Sequence, residues 1–236
     1  GSIFTGAGSS RITTGATLSG TITGNSGLNL AGGTFTGTAH LAGNPTWSGG
    51  TFNGAVYTIP SGSALNISGG SNKYLEGGSL TIAGQVDWTG GNLYLNNAAQ
   101  FNIQGGGVLD IKSDADIWYN SGAIPTLNNY GTMKKSAGTA VTRIGEGTAM
   151  IFNNIGGIIS ETSDGSLVLN AATSFSGTST ITGGTVQVTG GGGSISGTVN
   201  INEGALLDFN SGTTNFTDTT NPTNFAGAGT LLLSGG

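Results

Sequence analysis

A three-residue pattern, apolar then polar then apolar, recurs so densely through residues 60–111 that it decides what the chain can fold into. It reads Leu65-Asn66-Ile67, Leu80-Thr81-Ile82, Val86-Asp87-Trp88, Leu93-Tyr94-Leu95, Phe101-Asn102-Ile103 and Leu109-Asp110-Ile111. Successive side chains of an extended strand face opposite sides, so each triplet offers two residues to a core and one to solvent. Between triplets stand Gly69-Gly70, Gly77-Gly78, Gly90-Gly91 and Gly105-Gly106-Gly107, residues that permit abrupt corners. Strands this short cannot stand as hairpins, because a two-stranded ribbon is marginal in water. The pattern returns in phase after three triplets, about 21 residues, as from Leu65 to Val86 and from Ile67 to Trp88. Coiled into a tube, each triplet pairs with its equivalents above and below, and the inward residues stack into one interior. The spacing therefore predicts an all-β chain forming a parallel β-helix, a three-sided β-solenoid. It is expected to be right-handed, as parallel crossovers are. At that period residues 1–236 make about eleven turns of a single domain.

Composition narrows the alternatives. The chain holds 47 glycines, about one residue in five against a usual 7% or so, which elsewhere signals collagen or disorder. Neither fits, because glycine does not recur every third residue and the apolar residues are regularly spaced. Six Lys plus Arg are scattered along a chain of net charge −5, so no dense basic stripe exists for nucleic acid. No apolar run approaches the roughly 18 residues of a membrane helix, and no alternating run reaches the roughly ten of a membrane barrel strand, so no membrane insertion by this segment is expected. Cysteine is absent, so stacking rather than disulfides must hold the fold.

Along the chain the texture varies. Residues 3–41 are rich in threonine, and Thr21-Ile22-Thr23 and Thr34-Phe35-Thr36 put one apolar residue inward and two threonines outward. Trp47-Ser-Gly-Gly returns as Trp88-Thr-Gly-Gly about two turns later, and both indoles are expected in the tube or over a corner rather than in a ligand-stacking role. Residues 112–125 interrupt the rhythm. It resumes with Leu127-Asn128-Asn129-Tyr130-Gly131-Thr132, echoed by Phe152-Asn153-Asn154-Ile155-Gly156-Gly157, and stacked asparagines of this kind either form an amide ladder or cap their own turns. Compact triplets run from Leu167 to Phe209, with a four-glycine bend at residues 190–193. Residues 210–224 read as a polar rim loop, and Leu231-Leu232-Leu233 resumes the pattern.

Few residues are suited to chemistry. His40 is the only histidine and has no carboxylate near it in sequence, so it reads as a surface or bend residue rather than as the base of a nucleophilic triad. Zinc sites need His and Cys clusters that the chain lacks, and its glycine runs lack the Lys-Ser/Thr of a phosphate loop. The one charged cluster is Asp110, Lys112, Asp114 and Asp116, followed by Trp118 and Tyr119. On a strand Asp114 and Asp116 would share a side and could hold a hard cation, while Trp118 and Tyr119 could stack on sugar rings. Asp110, Asp114, Asp116, Trp118 and Tyr119 are therefore the candidate ligand-binding residues, and a polysaccharide lyase or glycoside hydrolase is the enzymatic alternative. The bland reading is a loop of solvated charges. Threonine ranks at Thr21, Thr23, Thr34, Thr36, Thr178, Thr180 and Thr182 raise a third option, ice binding, but their spacing is irregular.

At the Leu-X-Ile triplets between glycine pairs, and at the Asn-Asn turns beginning at Asn128 and Asn153, the chain resembles the long β-helical regions of bacterial surface proteins. These are filamentous-haemagglutinin-like and autotransporter-type adhesin passenger regions, and the resemblance, one of texture, covers most of the chain. It implies an extracellular or cell-surface stalk or fibre, non-enzymatic and without cofactor or metal, whose partners are surface glycans or receptors on host or neighbouring cells. The opening Gly1-Ser2 and the close inside the repeat read as the limits of a fragment, whose exposed solenoid ends would favour self-association.

Overall fold

The computed structural model of the protein describes residues 2–4, 8–24, 27–147, 150–162, 164–191, 193–216 and 222–235. Gly192 in the four-glycine bend and residues 217–221 of the polar tail lie outside them. The triplets become strands of three to five residues, and three successive strands make one coil. Val56–Ile59, Ala64–Ile67 and Lys73–Glu76 form one such coil, and Ser79–Ile82, Gln85–Trp88 and Leu93–Asn96 form the next. Through Thr185–Val188 every third strand joins the same parallel sheet, and beyond it strands alternate between two of the sheets, giving walls of nine, eleven and eleven strands among the described residues, here termed the first, second and third walls. Isolated parallel bridges from Phe175 to Ile195 and from Ser194 to Asn215 carry the first wall further. The protein is a three-sided parallel β-solenoid, and no helix occurs among the described residues.

The registers match the sequence period where that period is regular: Leu65 pairs with Val86, and Ile67 stands between Trp47 and Trp88. Elsewhere the corners lengthen the coil. Stacked side chains on adjacent coils lie 19 residues apart at Thr17 and Thr36 but 26 apart at Asn102 and Asn128. Residues 112–125 do not break the solenoid. They hold the strand Ile117–Tyr119, in register with Leu93 and Tyr94 on the third wall, between two lengthened corners.

The interior is a column of apolar residues, with Leu65, Ile67, Leu80, Ile82, Val86, Trp88, Phe101 and Ile103 fully enclosed. Trp47 stacks on Phe52 with ring centroids 3.8 Å apart and 8° between planes. The Trp88 indole donates to the Gly91 carbonyl at 2.8 Å, which is what the Gly-Gly bend supplies. The asparagine echo builds two ladders, because the strands Thr126–Asn129 and Ile151–Ile155 send adjacent asparagines to opposite sides. Outside, Asn153 Nδ2 donates to Asn128 Oδ1 at 2.9 Å and Asn128 Nδ2 to Asn102 Oδ1 at 2.8 Å. Inside, Asn129 Nδ2 donates to Asn154 Oδ1 at 2.7 Å, while Asn129 Oδ1 accepts from the Gly131 amide. The inner pair thus both stacks and caps its turn.

Lys73 occupies an inward position yet carries an amine. Its Nζ donates to the Gly69 carbonyl at 3.0 Å and the Gly90 carbonyl at 2.8 Å, bridging corners of two coils. Burial lowers its pKa to about 8. Between that value and the unfolded lysine value of about 10.4 the native chain has released a proton that the unfolded chain keeps, so stability rises with pH across that window. Burial also raises the Tyr57 hydroxyl above its ordinary value, which opposes the trend above about pH 10. Unfolding free energy is therefore expected to climb by on the order of 2 kcal/mol from pH 8 to pH 10. Chemical denaturation at stepped pH checks this, and Lys73→Met should flatten the slope; a wild-type curve equally flat would refute it.

Candidate functional site

The outward middle residues of the triplets give each wall its own chemistry. On the second wall they bring Asp87, Asp110 and Lys134 into one column. On the third they align Tyr74, Tyr94 and Trp118. On the first the column is His40, Thr58, Thr81, Asn102, Asn128, Asn153 and Ser174, without an acidic residue, lysine or arginine.

The five residues singled out from sequence do not form one cluster, because they sit on different walls and corners. Asp110 lies in the charged column, only 2% exposed. Its carboxylate meets Lys134 at 3.0 Å and Lys112 at 3.5 Å and accepts the Ser136 hydroxyl. Lys112 also pairs with Asp87 at 2.9 Å. Burial alone would raise the Asp87 carboxyl, but hydrogen bonds from Lys112 and Gln85 outweigh it and hold the pKa below the usual carboxylate range.

Asp114 and Asp116 lie in the corner between the second and third walls rather than on a strand, so strand alternation does not align them. Asp114 accepts from Lys135 Nζ at 2.8 Å and from the amides of Thr139 and Ala140, and the lysine bond chiefly holds its carboxyl below the ordinary value. Lys135 is fully enclosed and spends its other donors on the carbonyls of Ser113 and Ala137. Asp116 accepts the Arg143 amide at 2.7 Å, and burial raises its pKa. Each carboxylate thus ties its own coil to the next through different partners. Among the described residues, no three His, Cys, Asp or Glu side chains gather as a metal-binding group.

Trp118 and Tyr119 point to opposite sides. Tyr119 is an inward residue, 6% exposed, with its hydroxyl donating to the Gly122 carbonyl at 2.7 Å. Trp118 faces out and ends a stack that sequence reading missed: Tyr74 to Tyr94 at 5.0 Å and 23°, then Tyr94 to Trp118 at 6.0 Å and 21°. Gly147 lies beside the indole, where a Cβ would stand 3.2 Å from Cε3. Tyr94 is therefore sandwiched between Tyr74 and Trp118, and the Trp118 Nε1 is buried without a hydrogen-bond partner among the described residues. The signal was present, since Tyr74, Tyr94 and Trp118 each stand in the middle of a triplet.

A second unforeseen feature is an open groove of about 620 Å³ on the first wall and its corner, lined by Gln100, Asn102, Gln104, Gly105, Asn128 and Tyr130. Gln100 and Asn102 belong to the strand Gln100–Ile103, Asn128 to Thr126–Asn129 one coil on, and Tyr130 protrudes at the turn, 47% exposed. The threonine ranks are short by comparison. Thr17 stacks on Thr36 and Thr34 pairs with Thr51, but Thr21 is followed by His40 and Thr180 by Asn200.

Fold and surface together define a parallel β-solenoid with three chemically distinct walls. No protein-family model, curated protein or solved structure matches the chain.

Proposed function

We propose that the protein is a structural and adhesive segment, a rigid spacer of an extracellular or cell-surface fibre of the bacterial adhesin kind that holds its lateral walls out to surface glycans or receptors. The observation that carries this reading is the uncharged first wall. It offers hydroxyls and amides coil after coil on a scaffold whose clustered charges, Asp87, Asp110, Lys112, Asp114, Lys134 and Lys135, are engaged in coil-to-coil bonds. Such a surface makes weak contacts that gain strength by number. Beads coated with the protein are expected to adhere to glycan-bearing surfaces with an avidity about 100-fold above that of the soluble chain. Failure of coated beads to adhere to any bacterial, plant or animal cell surface would overturn the proposal.

The second reading, a polysaccharide lyase or hydrolase, rests on Asp116, whose half-buried carboxyl, raised by desolvation and held beside the Arg143 amide, would act as an acid. It requires new reducing ends or unsaturated products from a polysaccharide panel, with or without calcium, lost in Asp114→Ala/Asp116→Ala. The adhesive reading requires none.

A further inference from the structure

Resting on the adhesive reading, we infer that the groove between Gln100 and Tyr130 is a binding subsite for a neutral glycan chain. Its polar lining is four amides, Gln100, Asn102, Gln104 and Asn128, with no charged side chain among the groove residues. An amide both donates and accepts, as does a sugar hydroxyl, whereas a phosphate or uronate would demand cationic donors that this groove lacks. Tyr130 supplies the apolar component: its exposed ring can pack against the C–H face of a pyranose.

Two of the amides, Asn102 and Asn128, are also held in place. The ladder runs one way, from Asn153 through Asn128 to Asn102, so it ends in Asn102 Nδ2. That group is bonded to no acceptor among the described residues, and a hydrogen-bond chain polarises its terminal donor. A ligand therefore meets a fixed, strengthened donor and forfeits little side-chain freedom. The volume lies within the usual range for ligand sites, about 300–1,000 Å³. Because the groove is open, it suits a stretch of polymer that continues past it along the wall.

The test titrates the full chain with neutral gluco-, manno-, xylo- and galacto-hexasaccharides and with hexagalacturonate, following amide resonances by NMR. At least one neutral hexasaccharide is expected to bind with Kd of about 1 mM or tighter, shifting the Asn102 and Asn128 side-chain signals. Tyr130→Ala and Gln100→Ala, both at exposed positions, should each weaken it about tenfold. Glu203→Ala, at an exposed corner between the second and third walls, should leave it unchanged. Binding of hexagalacturonate alone, no neutral binding at 10-fold that concentration, or binding indifferent to both groove variants would each overturn the subsite. Bead adhesion separates the two proposals. Coated beads that still adhere as the Tyr130→Ala/Gln100→Ala variant show that the protein is adhesive through another surface and refute the groove. Wild-type beads that never adhere refute the adhesive reading itself.

Discussion

Gly107→Ala is expected to lower the unfolding free energy by about 3 kcal/mol, whereas the neighbouring Gly106→Ala costs about 1 kcal/mol. The two glycines are needed for different reasons. Gly106 has φ of 85°, a left-handed conformation in which a side chain is strained, but a Cβ there meets nothing within 4 Å. Gly107 lies outside that region of φ and is constrained by space alone, because its Cβ would overlap the Ile82 carbonyl oxygen. Gly84 and Gly131 hold the same place on the coils before and after, each facing backbone carbonyls that leave no room for a methyl. This glycine column also bonds the coils together: Val108 N donates to Gly84 O at 2.9 Å, Thr132 N to Gly107 O at 2.9 Å and Ile158 N to Gly131 O at 2.8 Å. An alanine at 107 must push the first-to-second corner outward and lengthen those bonds. Urea denaturation with an unchanged m-value measures both effects, and equal losses at 106 and 107 would show that close approach is not the constraint.

Trp88→Ala should cost about 3–5 kcal/mol, the range for removing a large buried aromatic. The indole is fully enclosed, stands in register between Ile67 and Ile111, and satisfies the Gly91 carbonyl. Truncation leaves a cavity and strips that part-buried acceptor of its donor. In a stacked repeat the damage concentrates at the interfaces between neighbouring coils. Hydrogen exchange should therefore accelerate most in the strands Ala64–Ile67, Gln85–Trp88 and Val108–Ile111. Uniform acceleration along the rod, or a loss below about 1 kcal/mol, would mean that the interior repacks around the gap.

The architecture was legible because strand alternation is a local rule, so Leu65-Asn-Ile67 announces its inward and outward residues without its neighbours. The candidate site was not, because the partners of its residues come from other coils. Asp114 takes its lysine from 21 residues away and Asp116 its amide from 27 away, across corners of variable length. The charges of residues 110–116 also disguised the triplet Ile117-Trp118-Tyr119, so an inward tyrosine was grouped with an outward tryptophan. Lys73 fails the same local rule in the opposite sense. Its triplet looks like one apolar position short, and only the carbonyls of Gly69 and Gly90 explain why an amine is tolerated there. Adjacent asparagines announced a stacked turn, but their division between a dry and a wet ladder depended on which side each residue faces.

Because neighbouring positions on every strand serve opposite sides, the rod and its coat can change separately. Substituting Thr81, Asn102 or Asn128 rewrites what a visitor meets on one flank without disturbing Leu80, Phe101 or Leu127 beneath. Such a filament has a compass as well as a length: turned by a third about its axis, it shows amides, ionic groups or aromatic edges in succession, so its specificity resides in the bearing from which it is approached.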